Sequence, residues 1–146
     1  MKVVNLYLKT NIKSIKPADG HYVFILELPR EPDPAVTLTV PGEIKQETKN
    51  GAEILILEKA LKRTKPCELN IFTDNNYLAR ALSEWLNEWQ QNNFKDSKGE
   101  DIKYKDKWES IAGMLKQMPY KVNLNNKHSF SEWMEAELER RKNGNK

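Results

Sequence analysis

The order of residues predicts an α/β (α+β) protein, a mixed sheet with helices packed on it. Three observations carry this. Three strand-like segments open the chain, separated by short breaks. The apolar period then changes from about 2 to about 3.6 residues, and a lone strand-like segment interrupts the helical pattern. The last third repeats helix, strand, helix. The order reads βββ-α-β-α-α-β-α, a meander followed by crossovers.

Each element has its reason. "VVNLYLK" (Val3–Lys9) interleaves β-branched and aromatic residues with polar ones. "KPADG" (Lys16–Gly20) has the residues of a turn. "HYVFILEL" (His21–Leu28) is a nearly unbroken apolar run, as in a central strand. "PREPDP" breaks the chain, and "AVTLTV" (Ala35–Val40) alternates as a third strand. "AEILILEKALKR" (Ala52–Arg63) puts Ile54, Leu57, Ala60 and Leu61 on one helical face. "ELNIFT" (Glu68–Thr73) is a strand. Asn76–Gln91 carries Leu78, Leu82, Trp85 and Trp89 at helical spacing, and Trp108–Met118 carries Trp108, Ile111 and Leu115. "YKVNL" (Tyr120–Leu124) is a short strand. Ser129–Lys142 reads as a final helix, opened by a Ser129/Glu132 capping box.

The composition narrows the class. The chain has 146 residues, enough for one domain with its own core, expected over 1–142 with a basic, disordered tail at 143–146. Hydrophobic residues make up 38% and charged residues 31%, which fits a globular protein. A net charge of +3 is compatible with nucleic-acid binding without requiring it. Cys67 is the single cysteine, so no internal disulfide forms, and a reducing, cytoplasmic setting is expected. The N-terminus lacks the pattern of a signal peptide, and no apolar run reaches membrane-spanning length. The expected state is a monomer without a membrane partner.

Acidic residues mark the candidate chemistry. Asp74 comes directly after the strand Glu68–Thr73, where α/β sheets place their sites. Glu53 lies in the first turn of the first helix, and Glu132, Glu135 and Glu139 share a face of the last. Carboxylates converging from strand ends and helix starts are what two divalent ions require. Each also has a plainer role. Asp74 could N-cap the next helix, Glu53 could close a box with Asn50, and the final glutamates could be solvated.

The ordered set of these features resembles bacterial-type ribonuclease H. Thr48, Asn50 and Glu53 match that family's Thr-x-Asn-x-x-Glu segment. Thr73-Asp74-Asn75-Asn76-Tyr77 matches its Thr/Ser-Asp-Ser-x-Tyr. Trp85 and Trp89, Phe94, Lys98, and Lys103–Asp106–Trp108 come next in the family's order. The resemblance implies a ribonuclease H-like five-stranded mixed sheet. It also implies an endonuclease that cuts the RNA strand of RNA–DNA hybrids with Mg2+ or Mn2+. Glu53, Asp74 and Glu135 would be metal ligands, with Glu132 the alternative to Glu135. His128 matches the family's flexible-loop histidine, with Asn125 the positional alternative. Thr48, Asn50, Asn76, Trp85 and Lys98 would contact substrate, although Trp85 also fits the core stripe.

One position departs from the pattern. The family's first strand ends in Thr-Asp-Gly, whereas this one ends in Leu8-Lys9-Thr10. A lysine pointing into the site would oppose a bound metal and impair its affinity; the plainer role for Lys9 is a solvated strand-end lysine. Asp19, in the expected turn, is a candidate substitute. The stretch from Trp85 to Trp108 carries lysines and acids in nearly equal number, so a basic clamp is weakened. Two readings result. One is a hybrid ribonuclease that is weak or degenerate; the alternative is a non-catalytic module that binds nucleic acid or a protein partner. An unrelated α+β adaptor is a remoter third.

Overall fold

The computed structural model describes residues 2–125 and 127–144. Its strands are β1 (Val3–Thr10), β2 (Ala18–Leu28), β3 (Val36–Glu47), β4 (Glu68–Thr73) and β5 (Tyr120–Leu124). Its helices are α1 (Lys49–Lys62), α2 (Asn76–Arg80), α3 (Leu86–Gln91), α4 (Lys105–Leu115) and α5 (Ser131–Gly144). A π-helical turn, Ala81–Trp85, joins α2 to α3. The sheet order is β3-β2-β1-β4-β5. β1–β2 and β2–β3 pair antiparallel, β1–β4 and β4–β5 parallel. This is the five-stranded mixed sheet that the sequence predicts, with β4 inside it.

Both faces of the sheet are covered. On one, Leu6, Leu8, Phe24, Leu69 and Ile71 pack against Ile54 and Leu57 of α1, Leu78 of α2 and Trp108 and Ile111 of α4. On the other, a smaller cluster joins Tyr7, Val23 and Ile25 to Met134 and Leu138 of α5. α4 packs against α1, which is buried nearly all round. The Ile54–Leu57–Ala60–Leu61 stripe is buried as expected, and Glu53 and Glu58 are buried with it.

Four local features differ from the sequence reading. β3 does not stop at Val40 but continues through Pro41 and Gly42 to Glu47. It is an edge strand, so a proline can lie in it without breaking a ladder on both sides. β2 begins at Ala18 rather than after a turn. Asp19 sits in it opposite a bulge in β3, where Gln46 has φ 50° and donates its N–H to Asp19 Oδ1 at 2.9 Å. The helix expected over Asn76–Gln91 contains the π turn, closed by a bond from Leu86 N–H to the Ala81 carbonyl. The extra residue rotates the next turn of helix, so Leu86 is buried while Trp85 and Trp89 are half-buried. Finally, α5 runs on to Gly144, into the expected tail; the rest of that tail lies outside the described residues. No helix of the described residues is long and apolar enough to cross a membrane.

Candidate functional site

Strand register brings the candidate residues together. Tyr7 of β1 pairs in parallel with Phe72 of β4, so Lys9 comes level with Asp74, just past the end of β4. Side chains alternate across a strand. Phe72 therefore faces the α5 side, Thr73 the α1 side, and Asp74 the α5 side again. Lys9, two residues after Tyr7, shares the face of Asp74.

Asp74 is not the helix cap. Asn75 is: its Oδ1 accepts from Tyr77 N–H at 2.9 Å and Leu78 N–H at 3.4 Å. Its Nδ2 donates to Asn50 Oδ1 at 3.0 Å, which ties the starts of α1 and α2 together. The cap of α1 is Thr48, whose hydroxyl accepts from Gly51 N–H at 3.0 Å, so Asn50 and Glu53 form no capping box. Asn76 is exposed in the first turn of α2.

Released from capping, Asp74 is held by two ammonium groups. Lys9 Nζ lies 2.9 Å from its Oδ2, and Lys49 Nζ 3.5 Å from its Oδ1. Burial alone would push the Asp74 carboxyl up. Hydrogen bonding and charge from Lys9 and Lys49 outweigh burial and hold it below the ordinary carboxylate range. Sequence reasoning missed Lys49. The signal was present, since Lys49 and Glu53 are four apart on α1 and share a face.

Glu53 is in a different environment. It is fully buried, and its Oε1 accepts from Thr73 Oγ1 at 2.8 Å. Among the described residues, its Oε2 has no hydrogen-bond partner. Burial pushes its carboxyl up to about 7, with Asp74 adding to the effect and the Thr73 bond, Lys49 and Lys9 opposing it. Glu135 is exposed on α5, and its Oε1 lies 3.8 Å from Lys9 Nζ. His128 lines the same cleft as Lys9, Asp74, Glu132 and Glu135. Its ring centroid is 4.5 Å from that of Tyr7, and its Nδ1 accepts from Phe130 N–H at 3.1 Å. Burial, then the charge of Lys9, pushes the imidazole below its ordinary value. Ser131, not Ser129, bonds back at the start of α5, its hydroxyl accepting from His128 N–H.

The outlying candidates do not join this centre. Both hydrogen bonds that Asp19 accepts come from Gln46. Trp85 packs on Tyr77 and Trp89 with the Arg80 guanidinium 5.0 Å above it, a half-buried wall rather than core. Lys98 is exposed on the loop after α3. Nearby lysines are neutralised locally, Lys95 and Lys105 by Asp101 and Lys107 by Glu58.

A pair of divalent ions would need more donors than gather here. Among the described residues, no three carboxylate, histidine or cysteine side chains come closely enough together to hold a metal ion. Asp74 is occupied by two ammonium groups, Glu53 is fully buried with one oxygen on Thr73, and Glu135 is exposed beside Lys9. As arranged, this donor set does not fit two magnesium ions.

The family model for RNase H matches residues 14–131. The chain belongs to the ribonuclease H family. A ribonuclease H of Legionella pneumophila (strain Corby) is 35% identical over 77 residues, 52% of this chain and 54% of that protein. The match thus spans about half the length of that relative. Among solved structures, LC9-RNase H1, a type 1 RNase H with the type 2 active-site motif, is similar at a TM-score of 0.76. It is 15% identical, with 99% of this chain and 74% of that chain covered. LC11-RNase H1 in complex with RNA/DNA hybrid is similar at a TM-score of 0.56 and 15% identity, with 90% of this chain and 92% of that chain covered. At such identities these likenesses establish the ribonuclease H fold.

Proposed function

We propose that this chain engages RNA–DNA hybrids as a ribonuclease H-family domain, and that Lys9 makes its metal-dependent cleavage weak or absent. The observation that carries the reading is the Lys9 ammonium 2.9 Å from Asp74, which with Glu53 matches the family's metal ligands. Membership of the family supports hybrid as the ligand. A cleft of about 640 Å3 over Lys9 and Asp74 gives the ligand room, its lysines, serines and histidine being set against Asp74, Glu132 and Glu135. Thr48 and Asn50 line a neighbouring depression together with Lys49 and Lys103, a set of polar groups suited to backbone phosphate.

One observation favours a second reading, in which a divalent ion displaces Lys9 and cleavage is efficient. Glu53 Oε2 is buried without a partner, as the free oxygen of a metal ligand would be. A single experiment separates the two. The protein is incubated with an end-labelled RNA–DNA hybrid over a titration of Mg2+ and Mn2+, and both binding and cleavage are monitored. Binding with little or no cleavage supports the first reading, rapid metal-dependent cleavage the second. Absence of binding at every metal concentration refutes both and leaves a protein partner as the alternative.

A further inference from the structure

We propose that Lys9 and Lys49 take over the cationic role at this site and hold a nucleic-acid phosphodiester directly, without a divalent ion. The inference rests on the hybrid-binding reading and specifies how the backbone is gripped.

Asp74 presents one oxygen to each lysine, Oδ2 to Lys9 from β1 and Oδ1 to Lys49 from the start of α1. One carboxylate thus fixes two cations that come from separate elements. To neutralise Asp74, one lysine would suffice; the second positive charge is opposed by Glu135, 3.8 Å from Lys9. Glu53 does not take up that charge by an ion pair, because its hydrogen bond is to Thr73 on the other side of the strand. The Glu135 side chain is 67% exposed, so it can swing away.

The two ammonium groups keep donors in reserve. Each has three N–H groups. Lys9 makes one short bond, and the Lys49 contact is at the 3.5 Å limit. Their side chains remain 20% and 30% exposed, within reach of a ligand in the cleft. Lys13 lines both the cleft over Lys9 and the depression beside Lys49, and it joins them into one basic track, with Lys127 in the first and Lys103 in the second. Asp74, Glu132 and Glu135 lie along the same track and limit its strength. Lysine is a point-charge donor that serves phosphate well. Because Asp74 already orders both side chains, less conformational entropy remains to be lost when a phosphate binds.

The test is fluorescence anisotropy of the full chain with a labelled RNA–DNA hybrid, in EDTA and in Mg2+, over a range of salt. Affinity should agree within about twofold between the two conditions. Lys9→Ala and Lys49→Ala should each weaken binding about fivefold or more in EDTA and lower the salt slope by about one. Lys9→Arg and Lys49→Arg should restore both, whereas a merely structural ion pair would leave the salt slope unchanged. Binding that requires Mg2+, or alanine variants with wild-type affinity and slope, overturns the inference and leaves hybrid recognition standing. No binding under either condition overturns both. The EDTA comparison uses the unmodified protein, so a requirement for Mg2+ overturns the inference even where a variant fails to fold.

Discussion

Replacing Lys9 should change how this site treats metal, and the size of the effect can be worked from the geometry. The Lys9 ammonium is 2.9 Å from Asp74 Oδ2. A magnesium ion on the same carboxylate, with bonds of about 2.1 Å, would sit roughly 4 Å from that ammonium. A divalent and a monovalent cation at about 4 Å repel by about 2 kcal/mol in water and about 8 kcal/mol at an effective dielectric of about 20. Lys9 and Asp74 are 20% and 21% exposed, so the lower figure is the floor. Removing the charge in Lys9→Ala should therefore tighten Mg2+ binding at least about 30-fold. Lys9→Asp also supplies a carboxylate, and should raise hybrid cleavage at least about tenfold, which needs only about 1.4 kcal/mol. Titration calorimetry measures the first effect and a gel assay on labelled hybrid the second. A Lys9→Ala protein with Mg2+ affinity within about twofold of the parent would refute the electrostatic argument. Asp19→Asn should leave cleavage unchanged, since Asp19 is tied to Gln46.

Other outcomes test the surroundings. Glu53 has its carboxyl raised from 4.5 to about 7, so the folded protein favours the protonated form. Stability should fall as pH rises from about 4.5 through about 7, by a few kcal/mol at most, and Glu53→Gln should abolish this component. Urea unfolding at pH 5 and pH 8 checks it; equal pH slopes in the two proteins would contradict the burial argument. Asn75→Ala should cost about 1–2 kcal/mol in the same assay, because Asn75 caps α2 and bonds to Asn50. A loss below a few tenths would show the cap to be unimportant. Gly51→Ala would ordinarily stabilise a helix, but its methyl would meet Glu47 Oε2 and the Tyr104 hydroxyl, which are bonded to each other. A destabilisation of about 1 kcal/mol is expected, and a gain in melting temperature would show that this pair yields freely.

Much of the fold was legible because local and global preferences agree. The apolar stripes of α1 and α4 are the faces that the core buries, and the Asp74–Asn75 boundary between β4 and α2 stands where turn chemistry places it. What escaped depends on neighbours. Pro41 and Gly42 punctuate a strand in isolation, yet at a sheet edge the chain runs straight through them. The π turn leaves no mark in a periodicity of four, three and four, so the sequence predicts Trp85 in the core where Leu86 is found. At the candidate site, Lys9 opposite Asp74 could be read from strand order. Lys49 could have been found from its spacing to Glu53. That Asn75 rather than Asp74 caps the helix could not, because both residue types suit the position and only the alternation of side chains decides.

That same alternation puts the solvent-facing groups of the site and the packed interior on opposite sides of one strand end. Thr73 points inward to Glu53, and its immediate neighbour Asp74 points outward to Lys9. One strand end thus carries an interior latch and an exterior tool back to back. Position 9 faces away from the packing behind Thr73, and only its charge reaches Glu53. A scaffold built this way can change the charge it presents to solvent by a single side chain and keep its shape.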